Sequence, residues 1–125
     1  MVILKSFDLE KNNESRLIAI VSIFSGRRNP EWELNNDQKK QFFDFWNNAE
    51  QSPLQTQLPA TGNYRGLRLN YGNIRWVLFN GTVTQFEKKD IQTKQDWERK
   101  MENFILHTSP VSVKKLLVER KIIEW

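Results

Sequence analysis

The residues with the clearest chemical potential lie in one short loop, residues 25–34, with the sequence SGRRNPEWEL. Adjacent guanidinium groups, here Arg27 and Arg28, bind carboxylates and phosphates through paired hydrogen bonds. The Asn29-Pro30 pair stiffens the loop, and Trp32 supplies a large aromatic ring. This segment, called the Arg/Trp loop, therefore predicts a rigid recognition surface with four binding residues: Arg27, Arg28, Asn29 and Trp32.

The Arg/Trp loop also has a purely structural interpretation. Tryptophan is highly buried on average, so Trp32 could fold back as a lid on the edge of the core. Arg27 would then bond to loop carbonyls, and both arginines would be solvated. The sequence leaves both interpretations open, and both place the loop at one end of the sheet, between a strand and the first long helix.

The loop also carries a resemblance. Residues 22–34, SIFSGRRNPEWEL, resemble a strand-then-loop segment of small uncharacterised proteins that carry S-G-R-P-N-P-x-W. Arg28 stands where those sequences usually have proline, which makes this loop less rigid and more basic. The resemblance covers only this short segment and implies no particular activity.

A second candidate surface lies on a predicted three-stranded meander within residues 64–86. Its turns are Gly72-Asn73 and Asn80-Gly81, and Asn-Gly is a strong signal for a two-residue type I′ turn. Two-residue turns fix the register, which places Leu69 opposite Trp76 on an apolar core face. The opposite face carries Arg68, Arg75, Phe79 and Phe86.

This opposite face suggests binding of single-stranded nucleic acid. Basic and aromatic residues together hold phosphates and stack on bases, and no acidic residue occurs between residues 60 and 86. The predicted register nevertheless turns Tyr71 and Trp76 away from Arg68 and Arg75, which splits the stacking platform. The candidate residues are therefore Arg68, Arg75, Phe79 and Phe86.

Catalytic chemistry has weaker support. The chain has no cysteine and one histidine, His107, near the end of a predicted helix, where an imidazole simply suits the helix dipole. No phosphate-binding loop, nucleophile elbow or metal-ligand motif is present, so we expect no cofactor and no metal. A small enzyme using Asp or Glu with Arg stays open as a third hypothesis, with no residue singled out.

The elements that must position these residues follow from periodicity. Residues 17–24, LIAIVSIF, are apolar on both alternating faces, which predicts a central strand, and residues 2–9 predict a strand that forms a hairpin with it. Helical stripes predict helices from about residue 36 to 51 and from about 94 to 107. A third helix would begin with Ser109 as its cap and Pro110 at its first position.

The predicted order is β-β-α-β-β-β-α-α. Short turns favour an antiparallel sheet of about five strands with helices packed on it, in the α+β class. Because three helical stripes must be buried and the central strand needs cover on both faces, we expect at least one helix on each side of the sheet.

Length and composition indicate the number of domains, the size of the core and the cellular compartment. A length of 125 residues predicts one domain, 1–125, and 38% hydrophobic residues with five Trp and eight Phe can build its core. The lack of cysteine, of a signal-peptide pattern and of any long apolar run predicts a small soluble domain in the cytoplasm, without membrane association. The net charge of +4 is ordinary for such a domain.

Among the three functions, the sequence favours a non-catalytic interaction module that binds a protein or peptide partner through the Arg/Trp loop. Nucleic-acid binding through the meander is the alternative, and a small enzyme is the second alternative.

Overall fold

A computed structural model describes residues 15–124 of the chain. These residues form one antiparallel sheet and three helices, which confirms the α+β class; the sheet has six strands rather than about five. The strands are β1 (Leu17–Val21), β2 (Glu31–Glu33), β3 (Leu67–Tyr71), β4 (Ile74–Phe79), β5 (Thr82–Glu87) and β6 (Asp90–Gln95). The helices are α1 (Asn36–Asn48), α2 (Lys100–His107) and α3 (Val111–Glu119).

The strands lie in the order β2-β1-β3-β4-β5-β6, and every neighbouring pair is antiparallel. The predicted meander register is confirmed, since Leu69 lies opposite Trp76 and Leu78 lies opposite Val83. Both residues of the Asn80-Gly81 turn have positive φ, as a type I′ turn requires. The turn chemistry in the sequence therefore fixes which side chains of β3, β4 and β5 face the core.

The helices cover one face of the sheet, called the helical face. Phe42 and Phe43 of α1 lie edge-on to Trp76 and Tyr71, at centroid distances of 5.2 Å in both pairs. Buried side chains of α2 and α3, including Ile105 and Leu117, join the same apolar cluster. Trp76 is fully buried, as the register predicts.

The other face, called the open face, has no helix over it in the described part of the chain. Arg68 and Arg75 are exposed there, and Ile18 and Ile20 of β1 are half-buried. An irregular segment covers one end of this face: the Thr56 amide donates to Thr84 Oγ1 at 2.9 Å. The expectation of a helix on each side of the sheet is therefore wrong for residues 15–124, because a loop anchored by hydroxyls supplies part of the cover.

Several predicted boundaries need correction. Strand β1 ends at Val21 rather than at residue 24, and it lies next to the edge strand β2 rather than at the centre of the sheet. Helix α1 ends at Asn48 rather than near residue 51, and Pro110 rather than Ser109 is the N-cap of α3. The predicted helix from residue 94 is wrong at its start, because residues 90–95 form β6 and α2 begins only at Lys100. The predicted strand over residues 2–9, with its hairpin, lies outside the described residues.

Strand β6 escaped prediction because its signals are weak. The turn that leads into it is Lys88-Lys89, with Lys88 at a φ of 53°, a conformation that usually selects glycine or asparagine. The strand itself, DIQTKQ, is polar, as an edge strand can be. Its inward-facing Lys94 is buried and donates to the Trp46 carbonyl at 2.6 Å, which ties the strand to α1.

The C-terminal helix packs largely as its stripe predicts. Leu117 is buried in the core, Leu116 is half-buried and Lys115 is exposed, whereas Lys114, which was expected to be exposed, is half-buried. Beyond the end of α3, Ile123 is buried and Lys121 is exposed. No helix among residues 15–124 is both long enough and apolar enough to cross a lipid bilayer.

Candidate functional site

Trp32, the proposed aromatic anchor of the Arg/Trp loop, lies in the core. The prediction that residues 25–34 are all loop is wrong at residues 31–33, which form the short edge strand β2. Trp32 pairs with Ala19 of β1 on the helical face. Its ring is 6% exposed, and its indole N–H donates to Thr108 Oγ1 at 2.9 Å. Of the two interpretations left open by the sequence, the structural one therefore describes Trp32: it closes the edge of the core against the end of α2.

The polar residues of the loop also have internal partners. Asn29 Oδ1 accepts the backbone N–H groups of Ile23 and Phe24 at 2.9 and 2.8 Å, which fixes the path of the loop. The Arg27 guanidinium lies 3.7 Å from the centroid of the Phe24 ring. Arg28 forms an exposed ion pair with Glu31 at 2.6 Å. Of the four proposed binding residues, only the two arginines are exposed, and each already has a contact.

The candidate nucleic-acid residues share the open face, but their rings are occupied. Arg75 lies over the Phe86 ring at 4.8 Å, so it covers the one aromatic surface beside it. Phe79 is half-buried and packs against Tyr64 at 5.9 Å. Arg68 is exposed opposite Val77. The face offers guanidinium groups, whereas the rings that a base would stack on are already covered.

A different segment has the geometry of a binding site. Residues 96–100, called the Trp97 turn, join β6 to α2 through a single turn of 3₁₀ helix. Glu98 and Arg99 in this turn have φ values of 58° and 57°, the left-handed region that non-glycine residues avoid. Between Asp96 and Glu98, the Trp97 side chain is 63% exposed. Strained backbone that holds a large aromatic ring in water is typical of a functional segment.

Asp96 fixes the start of the Trp97 turn through hydrogen bonds to α2 and to Gly81. Its two carboxylate oxygens accept the N–H groups of Met101 and Glu102 at 2.7 and 3.0 Å, which satisfies the first orphan donors of α2. The Asp96 N–H in turn donates to the Gly81 carbonyl at 2.8 Å. Asp96 is almost completely buried, and this burial raises the pKa of its carboxyl above the ordinary value.

Glu102 fixes the end of the Trp97 turn by binding Arg99. It is fully buried, and its carboxylate accepts two hydrogen bonds from Arg99, both at 3.0 Å, in a bidentate pair. The Asn80 N–H donates to the same carboxylate at 2.9 Å, and so does the Tyr64 hydroxyl. Burial, together with the charge of Glu102, raises the pKa of Tyr64, which therefore stays a protonated donor. Arg99 thus keeps its left-handed conformation because a desolvated carboxylate binds it.

The Trp97 turn and α1 enclose a groove of about 460 Å³, called the Trp97 groove. Its α1 wall is formed by Gln41, Asp44, Phe45, Asn48 and Ala49, and its other wall by Gln95, Asp96, Trp97, Lys100 and Met101. Phe45 is 38% exposed and packs its other side on Phe104 at 5.5 Å. Two partly exposed aromatic rings thus line one concave surface, an arrangement typical of binding sites for apolar side chains.

The described carboxylates give little support to a catalytic site. Asp96 lines the groove and has a raised pKa, but both of its oxygens are used to cap α2. Glu102 is enclosed by its four donors. Within residues 15–124, no three His, Asp or Glu side chains come close enough to hold a metal ion. His107 is exposed and contacts the Asn103 and Glu124 carbonyls at the end of α2.

Comparisons with other proteins give no relative for this arrangement. No family model, no curated protein and no solved structure matches the chain. The resemblance of the Arg/Trp loop to S-G-R-P-N-P-x-W segments therefore stays a prediction, and the site must be interpreted from its own geometry.

Sequence reasoning missed the Trp97 groove for a specific reason. Trp97, Met101 and Ile105 are spaced as one helical stripe, so a helix starting at residue 94 would bury all three. Met101 and Ile105 are buried in α2, while Trp97 precedes the helix and points outward. The available signal was Asp96, because an aspartate before an apolar-periodic run is a typical helix cap.

Proposed function

We propose that this protein is a non-catalytic module that binds a protein or peptide partner, and that the Trp97 groove is its contact surface. The observation that carries the proposal is the 63% exposure of Trp97 on a turn fixed by buried charges. The Arg/Trp loop, favoured from the sequence, becomes a structural element in this proposal, because Trp32 and Asn29 have internal partners.

The physical argument begins with the ring itself. An exposed indole leaves a large apolar area in water, and burial of such a ring by a partner is among the strongest contributions at interfaces. Phe45 and Met101 extend this apolar area into a concave surface. A groove of about 460 Å³ has room for one or two side chains of a partner, rather than for a large folded surface.

Rigidity strengthens the case. A binding residue on a mobile loop must lose conformational entropy when the complex forms, which weakens affinity. Here the backbone on both sides of Trp97 is held by buried carboxylates, Asp96 before it and Glu102 through Arg99 after it. The backbone of the Trp97 turn is therefore already ordered before a partner binds.

The test is affinity capture from native cell extract, followed by binding measurements with the purified partner. Three baits are compared: wild type, Trp97→Ala and the control Arg28→Ala. We expect a stoichiometric partner that wild type and Arg28→Ala both retain. Trp97→Ala should weaken its purified complex by about tenfold or more, the effect of losing a central aromatic contact. A thermal melt of each bait ensures that all three are folded.

Two results would count against the proposal. One is a verified partner whose Kd is unchanged in both Trp97→Ala and Phe45→Ala. The other is recovery of no stoichiometric partner at gentle salt concentrations. If instead Arg28→Ala weakens the complex and Trp97→Ala does not, the contact surface is the Arg/Trp loop.

A second candidate function is binding of single-stranded nucleic acid on the open face. It is favoured by the exposure of Arg68 and Arg75 on neighbouring strands, whereas the contact between Arg75 and Phe86 argues against base stacking. Fluorescence anisotropy with labelled single strands at low and moderate salt tests it. Affinity that falls steeply with salt, and that Arg68→Ala and Arg75→Ala each reduce, would support it; flat titrations would exclude it.

A further inference from the structure

We infer that three arginines at one end of the sheet form a binding site for a phosphate group. Arg27, Arg65 and Arg120, called the arginine cluster, come from separate parts of the chain and meet around Phe24. They lie beyond the end of β1, before the start of β3 and at the end of α3. This site is separate from the Trp97 groove and does not depend on the proposed function.

Phe24 brings the three guanidinium groups together. The Arg27 guanidinium lies 3.7 Å, and the Arg120 guanidinium 5.0 Å, from the centroid of the Phe24 ring. The Arg65 guanidinium donates a hydrogen bond to the Phe24 carbonyl. Since all three groups contact a single residue, their positive charges are close enough together to act on one anion.

Two of the three guanidinium groups are held in place by other parts of the chain. Arg120 Nη1 donates to the Ile23 carbonyl at 3.1 Å and to Asn63 Oδ1 at 3.2 Å. Each guanidinium has five N–H donors, so these bonds leave donors of Arg120 and Arg65 for a ligand. Arg27 has no hydrogen bond to a described residue, and all of its donors are available. The cluster is thus partly ordered before an anion binds, which lowers the entropic cost of binding.

The positive charge of the arginine cluster is not compensated within the described chain. None of the described ion pairs includes a cluster arginine. Glu119 and Lys121, on either side of Arg120, are both exposed and offset each other, and Arg28 is already paired with Glu31. The C-terminus of α3 adds only a partial negative charge. An anion bound at the cluster would therefore remove repulsion between three like charges.

A phosphate group matches this cluster better than a carboxylate. A phosphate monoester carries a charge of about −1.5 to −2 at neutral pH and has three strong acceptor oxygens. A carboxylate carries a single charge on two oxygens. Clusters of arginine are a common means of recognising phosphorylated side chains. Free phosphate and a phosphorylated side chain of a partner share this chemistry, and the experiment distinguishes the two.

The test titrates four ligands into the ¹⁵N-labelled full-length protein. They are inorganic phosphate and three acetylated and amidated pentapeptides, Gly-Ala-X-Ala-Gly, in which X is phosphoserine, glutamate or serine. The arginine Nε–H signals are followed by NMR, and each is assigned by its loss in Arg27→Gln, Arg65→Gln or Arg120→Gln.

We expect the phosphoserine peptide to shift the signals of all three cluster arginines. It should bind about tenfold more tightly than the glutamate peptide, a difference of about 1.4 kcal/mol, and the serine peptide should cause no shift. Inorganic phosphate that binds as tightly as the phosphoserine peptide would support a site for free phosphate. Tighter binding of the peptide would support a site for a phosphorylated side chain.

Two neighbouring arginines give a matched pair of variants. Arg27→Gln should weaken binding of the phosphoserine peptide about fivefold, because it removes one of the three charges. Arg28→Gln, the control, should weaken it less than about twofold, because Glu31 already compensates that charge. Thermal melts check that both variants are folded, which is expected because neither arginine bonds to the backbone of the described chain.

Two results would overturn the phosphate site. One is equal binding of the phosphoserine and serine peptides, and the other is an equal loss of affinity in Arg27→Gln and Arg28→Gln. Either result would leave the Trp97 groove untouched, since Trp97→Ala should not change the binding of phosphate.

Discussion

Two tripeptides in this chain are almost identical in sequence, but one buries its tryptophan and the other exposes it. Glu31-Trp32-Glu33 and Asp96-Trp97-Glu98 each place a tryptophan between two acids. In the first, the tryptophan is 6% exposed; in the second, it is 63% exposed. The difference shows that a local pattern of side chains does not decide burial, because the backbone conformation decides which of the three side chains points inward.

In the first tripeptide the backbone is a strand, so side chains alternate between the two faces. Trp32 points to the helical face, and Glu31 and Glu33 are exposed, where they pair with Arg28 and Arg16. In the second tripeptide the chain turns into a helix. Its first acid, Asp96, points inward to cap α2, so that Trp97 is left outside.

The largest effect that separates the two regions is on stability. Trp32→Ala should reduce the free energy of unfolding by about 3–5 kcal/mol, because it removes a buried ring and leaves Thr108 without its indole donor. Trp97→Ala should reduce it by less than about 1 kcal/mol, since most of that ring is already in water. Urea unfolding of both variants measures these losses. Equal losses of unfolding free energy would contradict the difference in burial between the two tryptophans.

A smaller effect is expected from the buried carboxylate that holds the Trp97 turn. Glu102→Gln should reduce the free energy of unfolding by about 2–3 kcal/mol, because it removes the charge that binds Arg99 and leaves buried donors poorly matched. The partial exposure of Arg99 limits the loss. Tyr64→Phe, which deletes one of the four donors, is the matched control and should lose about 1 kcal/mol. Denaturant titrations in which Tyr64→Phe is the more damaging change would contradict this account.

The first acid of each tripeptide gives a pH-dependent contrast. Burial raises the pKa of Asp96, so at mildly acidic pH the folded protein holds a proton that the unfolded chain has released. The stabilisation linked to this proton is present below the ordinary carboxyl pKa and is lost as the pH rises through the raised value. The stability of wild type relative to Asp96→Asn should therefore increase as the pH falls from 7 to 4.

Urea unfolding of the wild type and the variant at each pH measures this difference. Glu31→Gln, which changes the exposed first acid of the other tripeptide, is the control and should show no comparable trend. A difference between wild type and Asp96→Asn that shrinks towards acidic pH would mean that hydrogen bonds to the ionised carboxylate outweigh its desolvation.

The smallest effect is expected in the Arg/Trp loop. Arg28→Ala should change the free energy of unfolding by no more than about 0.5 kcal/mol, because its ion pair with Glu31 is exposed to solvent. Thermal melts at low and high salt measure it. A loss above about 1 kcal/mol would show that the loop depends on this arginine for its shape.

Most of the sheet could be predicted because its determinants are local. Asn80-Gly81 sets a two-residue turn, the turn sets the register, and the register assigns Leu69 and Trp76 to the core. Strand β6 could not be predicted in the same way, because Lys88 adopts a positive φ for which its side chain gives no signal. Because β6 was not predicted, the sequence pattern placed the start of α2 at residue 94 instead of Lys100. This error in the helix start is what assigned Trp97 to the core.

The candidate site was less predictable because its determinants are far apart in the chain. The Trp97 turn depends on a carboxylate of α2 that also binds Tyr64 and the Asn80 N–H, residues that only the folded sheet brings together. The Trp97 groove likewise needs Phe45 from α1 opposite Trp97. In the Arg/Trp loop, Trp32 is buried because strand β2 pairs with β1 and turns the ring into the core, and because Thr108, distant in the chain, accepts its indole N–H.

The arrangement of the sheet also has a consequence for the order of folding. Strands β3 to β6 are joined by consecutive two-residue turns, so each pairing closes a very short loop and can form on the microsecond scale of hairpins. The pairing of β1 with β3 instead joins Val21 to Leu67 and must enclose α1 on the way, at a much larger entropic cost of closure. We therefore expect the meander to form first and the β1–β3 pairing to limit the rate. Changes at the Leu17–Val21 strand would then slow folding, whereas changes at the β5–β6 edge would mainly speed unfolding.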